Sequence, residues 1–304
     1  MRLTATEGGW SMTKKFERCS ICDTDERKKS GYLCSFQTSD GLPVRCCHQE
    51  TFKKLQVLRY YLEIFSVAMK NHFATLNFID LFAGPGLCRE RDYGEEMPGS
   101  SLLALELAHP FSKYVFVDAD PVTSGILRDR CAKHRPHLAD RVTICNVDAN
   151  SDIDSVLNKV EKTNSLSVVL LDPNGLDIHF STLATLAEYK HVDLIINFAV
   201  SDLKRNRGLY SLDESITKGD LFFGGKDWRS KTNHLELLSY YKDRIREIGF
   251  TCVENVVEGS VTVKTRTGAP IYYLLFASKH ERGLDFWQKA KKSFGNQASR
   301  DLFS

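Results

Sequence analysis

The sequence predicts an α/β fold built around a mostly parallel β-sheet, and two patterns along the chain predict it. After residue 70, short apolar runs alternate with segments whose apolar residues recur at helical spacing, as in parallel strands joined by crossover helices. Near the end of the chain, apolar runs are separated by short turns instead, which indicates antiparallel strands. Of the 304 residues, 42% are hydrophobic and 26% are charged, which is typical of a globular chain.

The predicted elements follow from these two patterns. Apolar runs bounded by turn residues predict strands over 76–81, 113–118, 141–146, 167–171 and 192–198. Helical spacing predicts helices over 52–70, 99–109, 122–133, 152–162, 180–189 and 235–248. Further strands are expected over 250–258, 260–266 and 271–277, the last two as a hairpin. Residues 204–231 have the least regular pattern, which suits a lid or a substrate loop.

The chain divides into four segments by composition. We expect a disordered leader over 1–16, a cysteine-rich module over 17–50, the α/β domain over 51–290 and a C-terminal tail over 291–304. No apolar run reaches the ~18–20 residues of a membrane span, and the first residues do not resemble a signal peptide. A cytoplasmic, reducing location is therefore expected. The formal net charge of +2 neither requires nor excludes a nucleic-acid partner.

The strongest motif is the segment 77–86, NFIDLFAGPG, in which a strand runs into a glycine-containing turn. Glycine in such a turn lets the backbone approach a ligand, because no Cβ is in the way. The segment lacks the lysine of a phosphate-binding loop and the full GxGxxG pattern of a dinucleotide-binding loop. It suits S-adenosylmethionine, whose amino group Asp80 would bind directly or through water. A turn whose glycines serve packing alone is the alternative.

Acidic residues also follow the next two predicted strands. Asp118 ends the second strand, where a carboxylate can accept both hydroxyls of a ribose. Asp120 is better suited to cap the helix that opens at Pro121. Asp148 follows the third strand, at an edge where an acid can accept the exocyclic amine of adenine. The residues predicted to contact the cofactor are Asp80, Phe82, Ala83, Gly84, Pro85, Gly86, Ser100, Asp118, Asp120, Asp148 and Ala149.

The fourth strand ends in Asp172-Pro173-Asn174-Gly175, which is similar to the Asp-Pro-Pro-Tyr motif of amino-methyltransferases. In that motif, a backbone carbonyl and a side-chain acceptor hold an exocyclic amine toward the sulfonium methyl group. Here Asn174-Gly175 replaces the proline and the aromatic residue, so the ring that would stack on a flipped base is missing. A plain strand-to-loop turn is the alternative. The predicted catalytic residues are Asp172, Pro173, Asn174 and Asn197.

Five of the nine cysteines fall near the N-terminus, which in a reducing compartment indicates metal binding more than disulfides. The candidate ligands are Cys19, Cys22, Cys34, Cys46, Cys47 and His48. Cys19, Cys22, Cys34 and one of the last three would form a tetrahedral zinc site. An iron–sulfur cluster uses the same ligand types, and free thiols in a polar extension are the alternative to both.

Taken together, the motifs resemble the three-Cys-motif partner proteins of bacteria, a methyltransferase-like family, over roughly residues 41–290. The matching segments are 41–43, 54–65, 78–86, 99–100, 172–175, 196–198 and 273–280. The resemblance implies a Rossmann-like class I methyltransferase fold with a mostly parallel seven-stranded sheet whose last strand is antiparallel. It also implies S-adenosylmethionine as cofactor and a partner protein encoded nearby. Asn174 and the cysteine-rich N-terminus depart from the family's pattern.

These observations favour an S-adenosylmethionine-dependent methyltransferase that acts on a nitrogen or oxygen of a nucleic acid or nucleotide-like substrate. A second hypothesis is a partner or nucleic-acid-binding adaptor that keeps the fold without catalysis. A third is a nuclease that places Mg²⁺ among Asp80, Asp118 and Asp172, although the glycine turn would then have no role.

Overall fold

The computed structural model describes residues 19, 33–34, 36, 38–91, 94–173, 175–212, 215–254, 261–264 and 270–300. The predicted leader, Cys22 and Asn174 lie outside these residues. The strands are β1 (Arg45–Cys47), β2 (Thr75–Asp80), β3 (Leu87–Glu90), β4 (Glu96–Pro98), β5 (Lys113–Val117), β6 (Val142–Cys145), β7 (Ser165–Leu171), β8 (Val192–Phe198), β9 (Cys252–Val253), β10 (Val261–Lys264) and β11 (Pro270–Ser278). The helices are α1 (Glu50–Met69), α2 (Ser100–Leu105), α3 (Pro121–His134), α4 (Ile153–Leu157), α5 (Phe180–Ala187), α6 (Val200–Tyr210), α7 (Lys218–Phe223), α8 (His234–Glu247) and α9 (Glu281–Arg300), with 3-10 turns at Pro136–Arg141 and Asp227–Ser230.

The main sheet has the strand order β10-β11-β8-β7-β2-β5-β6, and the short β9 pairs with β11. Strands β8, β7, β2, β5 and β6 run parallel, whereas β11 is antiparallel to β8 and β10 is antiparallel to β11. The chain fills one side of β2 with β5 and β6 before it crosses to β7 and β8. This order confirms the predicted Rossmann-like methyltransferase fold. It also places a ligand crevice at the carboxyl ends of the strands beside β2, where the winding direction reverses.

Two apolar layers cover the sheet because neighbouring strand residues point to opposite faces. On β2, Phe78 packs with apolar residues of α1, α2, α3 and α9, and Ile79 packs with those of α4, α5, α6, α7 and α8. Both side chains are fully buried. The continuous apolar runs that predicted the central strands are explained by this double cover.

The prediction for residues 204–231 was wrong, because this segment contains most of α6, all of α7 and a 3-10 turn. Thr217 caps α7 by accepting from the Asp220 N–H, and the Asp220 carboxylate accepts from the Thr217 N–H. The helix ends at Gly224, whose φ of +73° is left-handed. Because α7 has only six residues, it is too short to show apolar periodicity, and its capping residues are what mark it in the sequence.

A small second sheet, with the order β1-β3-β4, joins the cysteine-rich segment to the main domain. Strand β1 pairs in parallel with β3, and Arg45 lies opposite Cys88. This sheet was not predicted from the sequence. In the described part of the chain, no helix is both long and apolar enough to cross a membrane.

Candidate active site

A cavity of about 740 Å³ opens at the carboxyl ends of β2, β5, β6 and β7. Its wall contains residues from each of the loops that follow these strands, together with residues of β1 and α1. The predicted cofactor, substrate and metal residues that line it are Cys46, Cys47, His48, Phe82, Ala83, Gly84, Pro85, Gly86, Ser100, Asp118, Asp120, Asp148, Ala149 and Asp172. The fold therefore brings most of the predicted site to a single cavity.

The glycine turn after β2 has a backbone that other residues would not adopt without strain. Gly84 and Gly86 have φ values of +64° and +88°. A Cβ on Gly86 would lie 3.0 Å from Leu127 Cδ1, so the turn packs directly on α3. The Gly99 N–H donates to the Gly86 carbonyl at 2.7 Å and closes the turn against the start of α2.

Asp80 lies beneath this turn and is fully buried. Ser100 Oγ donates to its Oδ2 at 2.6 Å, and the Phe82 N–H donates to its Oδ1 at 3.2 Å. Burial raises the pKa of Asp80 from 3.8 to about 7, against these two hydrogen bonds. Ser100 lines the cavity, so it stands between the buried carboxyl and the space that a ligand would occupy.

Asp118 links the glycine turn to the edge of β5. Its Oδ2 accepts from the Gly84 N–H at 3.1 Å and lies 3.5 Å from Arg45 Nη2, while Oδ1 accepts from the Asp120 N–H at 3.0 Å. Asp120 caps α3, because its side chain accepts from the Thr123 N–H at 2.7 Å. The predicted capping role of Asp120 agrees with this contact, and Asp118 lines the cavity.

Asp148 is exposed at the end of β6, and its Oδ1 accepts from the Asn150 N–H at 2.7 Å. Asn150 holds the loop by donating from Nδ2 to the Asp177 carbonyl and accepting from the His179 N–H at its Oδ1. The neighbouring Ala149 is buried. Oδ2 of Asp148 is thus the oxygen that remains to face a ligand.

At the reaction side, Asp172 is held by two residues that lie far from it in sequence. Asn197 Nδ2 donates to its Oδ1 at 2.8 Å, and Lys54 Nζ forms an ion pair with its Oδ2. Lys54 also lies 5.4 Å from the centre of the Tyr272 ring. Pro173 is buried directly behind Asp172, and neither Pro173 nor Asn197 lines the cavity.

The cysteine-rich segment brings three of the predicted metal ligands together. The Sγ atoms of Cys19, Cys34 and Cys46 lie within 4.8 Å of one another. The Cys46 N–H donates to Cys34 Sγ at 2.8 Å. These three side chains are suited to hold a metal ion. Cys47, by contrast, shares a hydrogen bond with Cys88, which lowers the pKa of the Cys88 thiol.

Within the described residues, the cysteine triad is the only group of histidine, cysteine and acidic side chains close enough to share an ion. Asp80, Asp118 and Asp172 do not form such a group there. The geometry therefore does not favour the metal-dependent nuclease.

Sequence reasoning missed Lys54, Arg45 and Arg130. Arg130 is fully buried and donates to the carbonyl of Pro85 in the glycine turn at 2.5 Å. Lys54 and Arg130 each stand next to buried leucines of their helix, at i − 4 from Leu58 and i + 3 from Leu127. A charge beside these apolar residues was the available signal. Arg45 carried no such signal, because its position depends on the pairing of β1 with β3.

No family model matches the chain, and no curated protein matches it in sequence. Among solved structures, a Legionella pneumophila protein of the DUF519 family is similar over 79% of this chain and 92% of its own, at 10% identity and a TM-score of 0.47. The O-methyltransferase of Bacillus cereus, in complex with S-adenosylhomocysteine, is similar over 84% of this chain and 87% of its own, at 12% identity and a TM-score of 0.43. Magnesium protoporphyrin IX methyltransferase of Synechocystis, with bound S-adenosylmethionine, is similar over 75% of this chain and 81% of its own, at 13% identity and a TM-score of 0.40. These values are too low to argue function, and the fold assignment rests on the strand order.

Proposed function

We propose that the chain is an S-adenosylmethionine-dependent methyltransferase that acts on a nitrogen or oxygen of a nucleic acid or nucleotide-like substrate. The observation that carries the proposal is the shared cavity, in which the glycine turn meets Asp118, Asp148 and Asp172 from three further strand ends. S-adenosylmethionine supplies an electrophilic methyl group on a sulfonium centre.

The residues present fit this cofactor. The left-handed turn at Gly84 and Gly86 lines the cavity, and a Cβ on Gly84 would lie 3.3 Å from Arg45 Nη1 in the cavity wall. Asp118 would accept the ribose hydroxyls, and the exposed Oδ2 of Asp148 would accept the adenine amine. The buried Asp80 would act on the amino group of the methionine moiety through Ser100, which separates it from the cavity.

On the substrate side, Asp172 is the residue we assign to the methyl acceptor. Each of its oxygens accepts one hydrogen bond, from Lys54 or from Asn197, and a carboxylate oxygen can accept a second. The two donors fix the orientation of the carboxylate, so that its remaining lone pairs can orient an amine or a hydroxyl for attack. Lys54 also balances the charge of Asp172 while the site is free of substrate.

Isothermal titration calorimetry with S-adenosylmethionine and S-adenosylhomocysteine tests the proposal. We expect both to bind, and Asp118→Asn to weaken binding by about 10–100-fold, because hydrogen bonds to a charged group contribute about 1.5–3 kcal/mol. Asp129→Asn, an exposed change on α3, is the matched control. Absence of heat and of a thermal shift at millimolar ligand would contradict the proposal.

For the cysteine cluster we propose a structural zinc ion, with Cys22 as the fourth ligand beside Cys19, Cys34 and Cys46. A segment this small has little apolar core of its own, so a metal would supply much of its stability. Elemental analysis by mass spectrometry should find one zinc per chain, and Cys34→Ser should lose it. Iron with acid-labile sulfide would instead identify an iron–sulfur cluster.

A non-catalytic adaptor is the second candidate, and one observation favours it. Both central carboxylates of the cavity are engaged by cations of the chain, Asp118 by Arg45 and Asp172 by Lys54. The resemblance to three-Cys-motif partner proteins supports a protein partner encoded nearby. Transfer of a labelled methyl group from S-adenosylmethionine to nucleic acid separates the two functions, because an adaptor would bind nucleic acid or its partner without transfer.

A further inference from the structure

A second cavity, of about 510 Å³, lies at the edge of the sheet opposite the first cavity, which we call the cofactor cleft after the proposed function. It is bounded by the amino ends of β7 and β8, the carboxyl end of β11, the start of α9 and the end of α1. Its size is in the range of small-molecule sites. None of its lining residues lines the cleft, so the two cavities are separate.

The interior of this cavity is apolar. The side chains that form it are Phe65, Met69, Phe73, Leu166, Val192 and Phe286. Phe65 is fully buried, and Met69, Leu166 and Phe286 are each exposed by less than a tenth. A ligand that fills this space must therefore present an apolar body, either a ring or an alkyl chain.

The rim of the cavity is cationic. Lys190, His191, His280 and Arg282 are all exposed; the first two precede β8, His280 follows β11, and Arg282 lies in the first turn of α9. The rings and amines lie close enough that Lys190 and His280 lower the pKa of His191, in addition to the larger effect of its partial burial. Within the part of the chain that the structure describes, Lys190 and Arg282 form no ion pair, and an anion at the rim would balance their charge.

Asp193 is the one acid among the described lining residues, and its contacts remove it from ligand binding. Tyr61 donates to its Oδ2 at 2.6 Å, and a Cβ on Gly283 would lie 3.0 Å from both of its oxygens. The carboxyl group is thus covered by the start of α9 and is only 5% exposed. It contributes little negative charge to the open space.

We propose that this second cavity binds an amphipathic carboxylate, an apolar chain or ring with an anionic head that contacts the basic rim. The apolar interior holds the body of the ligand, and Lys190 and Arg282 hold its carboxylate. The site is independent of methyl transfer, since it shares no residue with the cofactor cleft.

Decanoate is a suitable probe, with decanol and decyltrimethylammonium as its neutral and cationic counterparts of equal chain length. We expect decanoate to bind the full-length protein at least about tenfold more tightly than decanol, and the cation to bind least, since two surface charges contribute about that factor. Lys190→Ala combined with Arg282→Ala should weaken the binding of decanoate by about tenfold and change the affinity for decanol by less than about twofold. Arg128→Ala combined with Lys159→Ala removes the same charge from an exposed surface and should change neither.

Met69→Trp fills the apolar interior and should abolish binding of both decanoate and decanol, while calorimetry with S-adenosylhomocysteine checks that the fold is intact. Equal affinities for the three probes would overturn the anionic assignment. Loss of decanoate binding in the presence of saturating S-adenosylhomocysteine would also overturn the proposal, because the probe would then occupy the cleft.

Discussion

At the scale of single residues, the ionisation of the buried Asp80 affects the stability of the fold. Burial raises its pKa from 3.8 to about 7, so the native state holds the proton more tightly than the unfolded chain between these values. The contribution of Asp80 to the free energy of unfolding therefore falls as pH rises from 3.8 to about 7 and stays constant above about 7.

We therefore compare the free energy of unfolding of Asp80→Asn with that of wild type at two pH values. The difference in favour of the variant should be about 1–3 kcal/mol larger at pH 8 than at pH 4.5. The asparagine keeps the contacts with Ser100 and Phe82 but carries no charge to be desolvated. Urea unfolding at the two pH values measures the difference, with Asp129→Asn as an exposed control. A difference that does not change with pH would contradict a raised pKa in the native state.

Lys54 is a second residue whose effect is local. Lys54→Met keeps the aliphatic stem beside Tyr272 but removes the charge that pairs with Asp172. Since Asp172 would then be oriented by Asn197 alone, we expect methyl transfer to nucleic acid to fall at least about tenfold. Binding of S-adenosylhomocysteine should change by less than about threefold.

The control for this residue is Lys53→Met, one position earlier on α1, where the side chain is exposed. Lys54→Arg should retain part of the activity, because it restores the charge with a different geometry. If Lys54→Met kept full transfer while binding nucleic acid normally, Asp172 would not depend on its ion pair.

At the scale of secondary-structure elements, Arg130 joins α3 to the segment that precedes β1. Its guanidinium is fully buried and donates to both carboxylate oxygens of Asp40, at 2.7 and 3.1 Å, and to the Leu42 carbonyl at 3.0 Å. Although burial opposes ionisation, these hydrogen bonds hold the pKa of Asp40 well below its usual value. The pair therefore stabilises the native state at neutral pH and loses that effect only in strong acid.

Arg130→Met should lower the free energy of unfolding by about 3–5 kcal/mol, because it removes the buried guanidinium that donates to both oxygens of the Asp40 carboxylate. Arg128→Met, an exposed change on the same helix, should cost less than about 0.5 kcal/mol. Chemical denaturation compares the two. A loss for Arg130→Met no larger than that of the control would show that Asp40 and its segment do not depend on the pair.

The elements that could be predicted are those whose signal lies within the element itself. Strands β2, β7 and β8 are buried almost throughout, and their sequences are rich in apolar residues. Strands β1, β3 and β4 have only three or four residues each, too few to show a pattern, and β1 depends on pairing with the distant β3. The helices α6 and α9 are mostly polar, and among the side chains described on α9 those of Phe286, Trp287 and Ala290 are buried.

The same distinction applies to the candidate site. Residues at the ends of strands could be predicted, because parallel strands must bring their carboxyl ends to one edge. Lys54 reaches Asp172 across 118 positions of sequence, and Arg45 reaches Asp118 across 73, through packing that no spacing rule encodes. The outcome for Asn174 stays open, since it lies outside the described residues.

At the scale of the whole molecule, β1 connects the cysteine cluster to the cofactor cavity. Side chains alternate along a strand, so Cys46 joins the cluster while Arg45 and Cys47 turn to the other side, toward Asp118 and Cys88. The cavity wall on this side is therefore built by the segment that the proposed zinc ion would stabilise. Metal and cofactor should then be coupled through one strand.

Removing the metal with a strong chelator should consequently weaken S-adenosylhomocysteine binding by about tenfold or more and lower Tm, and added zinc should restore both. Strand β1 belongs to the small sheet and not to the main sheet, so we expect the circular dichroism of the α/β domain to survive the treatment. Cys252→Ser, at β9 on the far side of β11, serves as a thiol control that should change neither property. Unchanged cofactor affinity in verified metal-free protein would mean that β1 keeps its place without the ion, and that the cluster and the cavity are neighbours without being coupled.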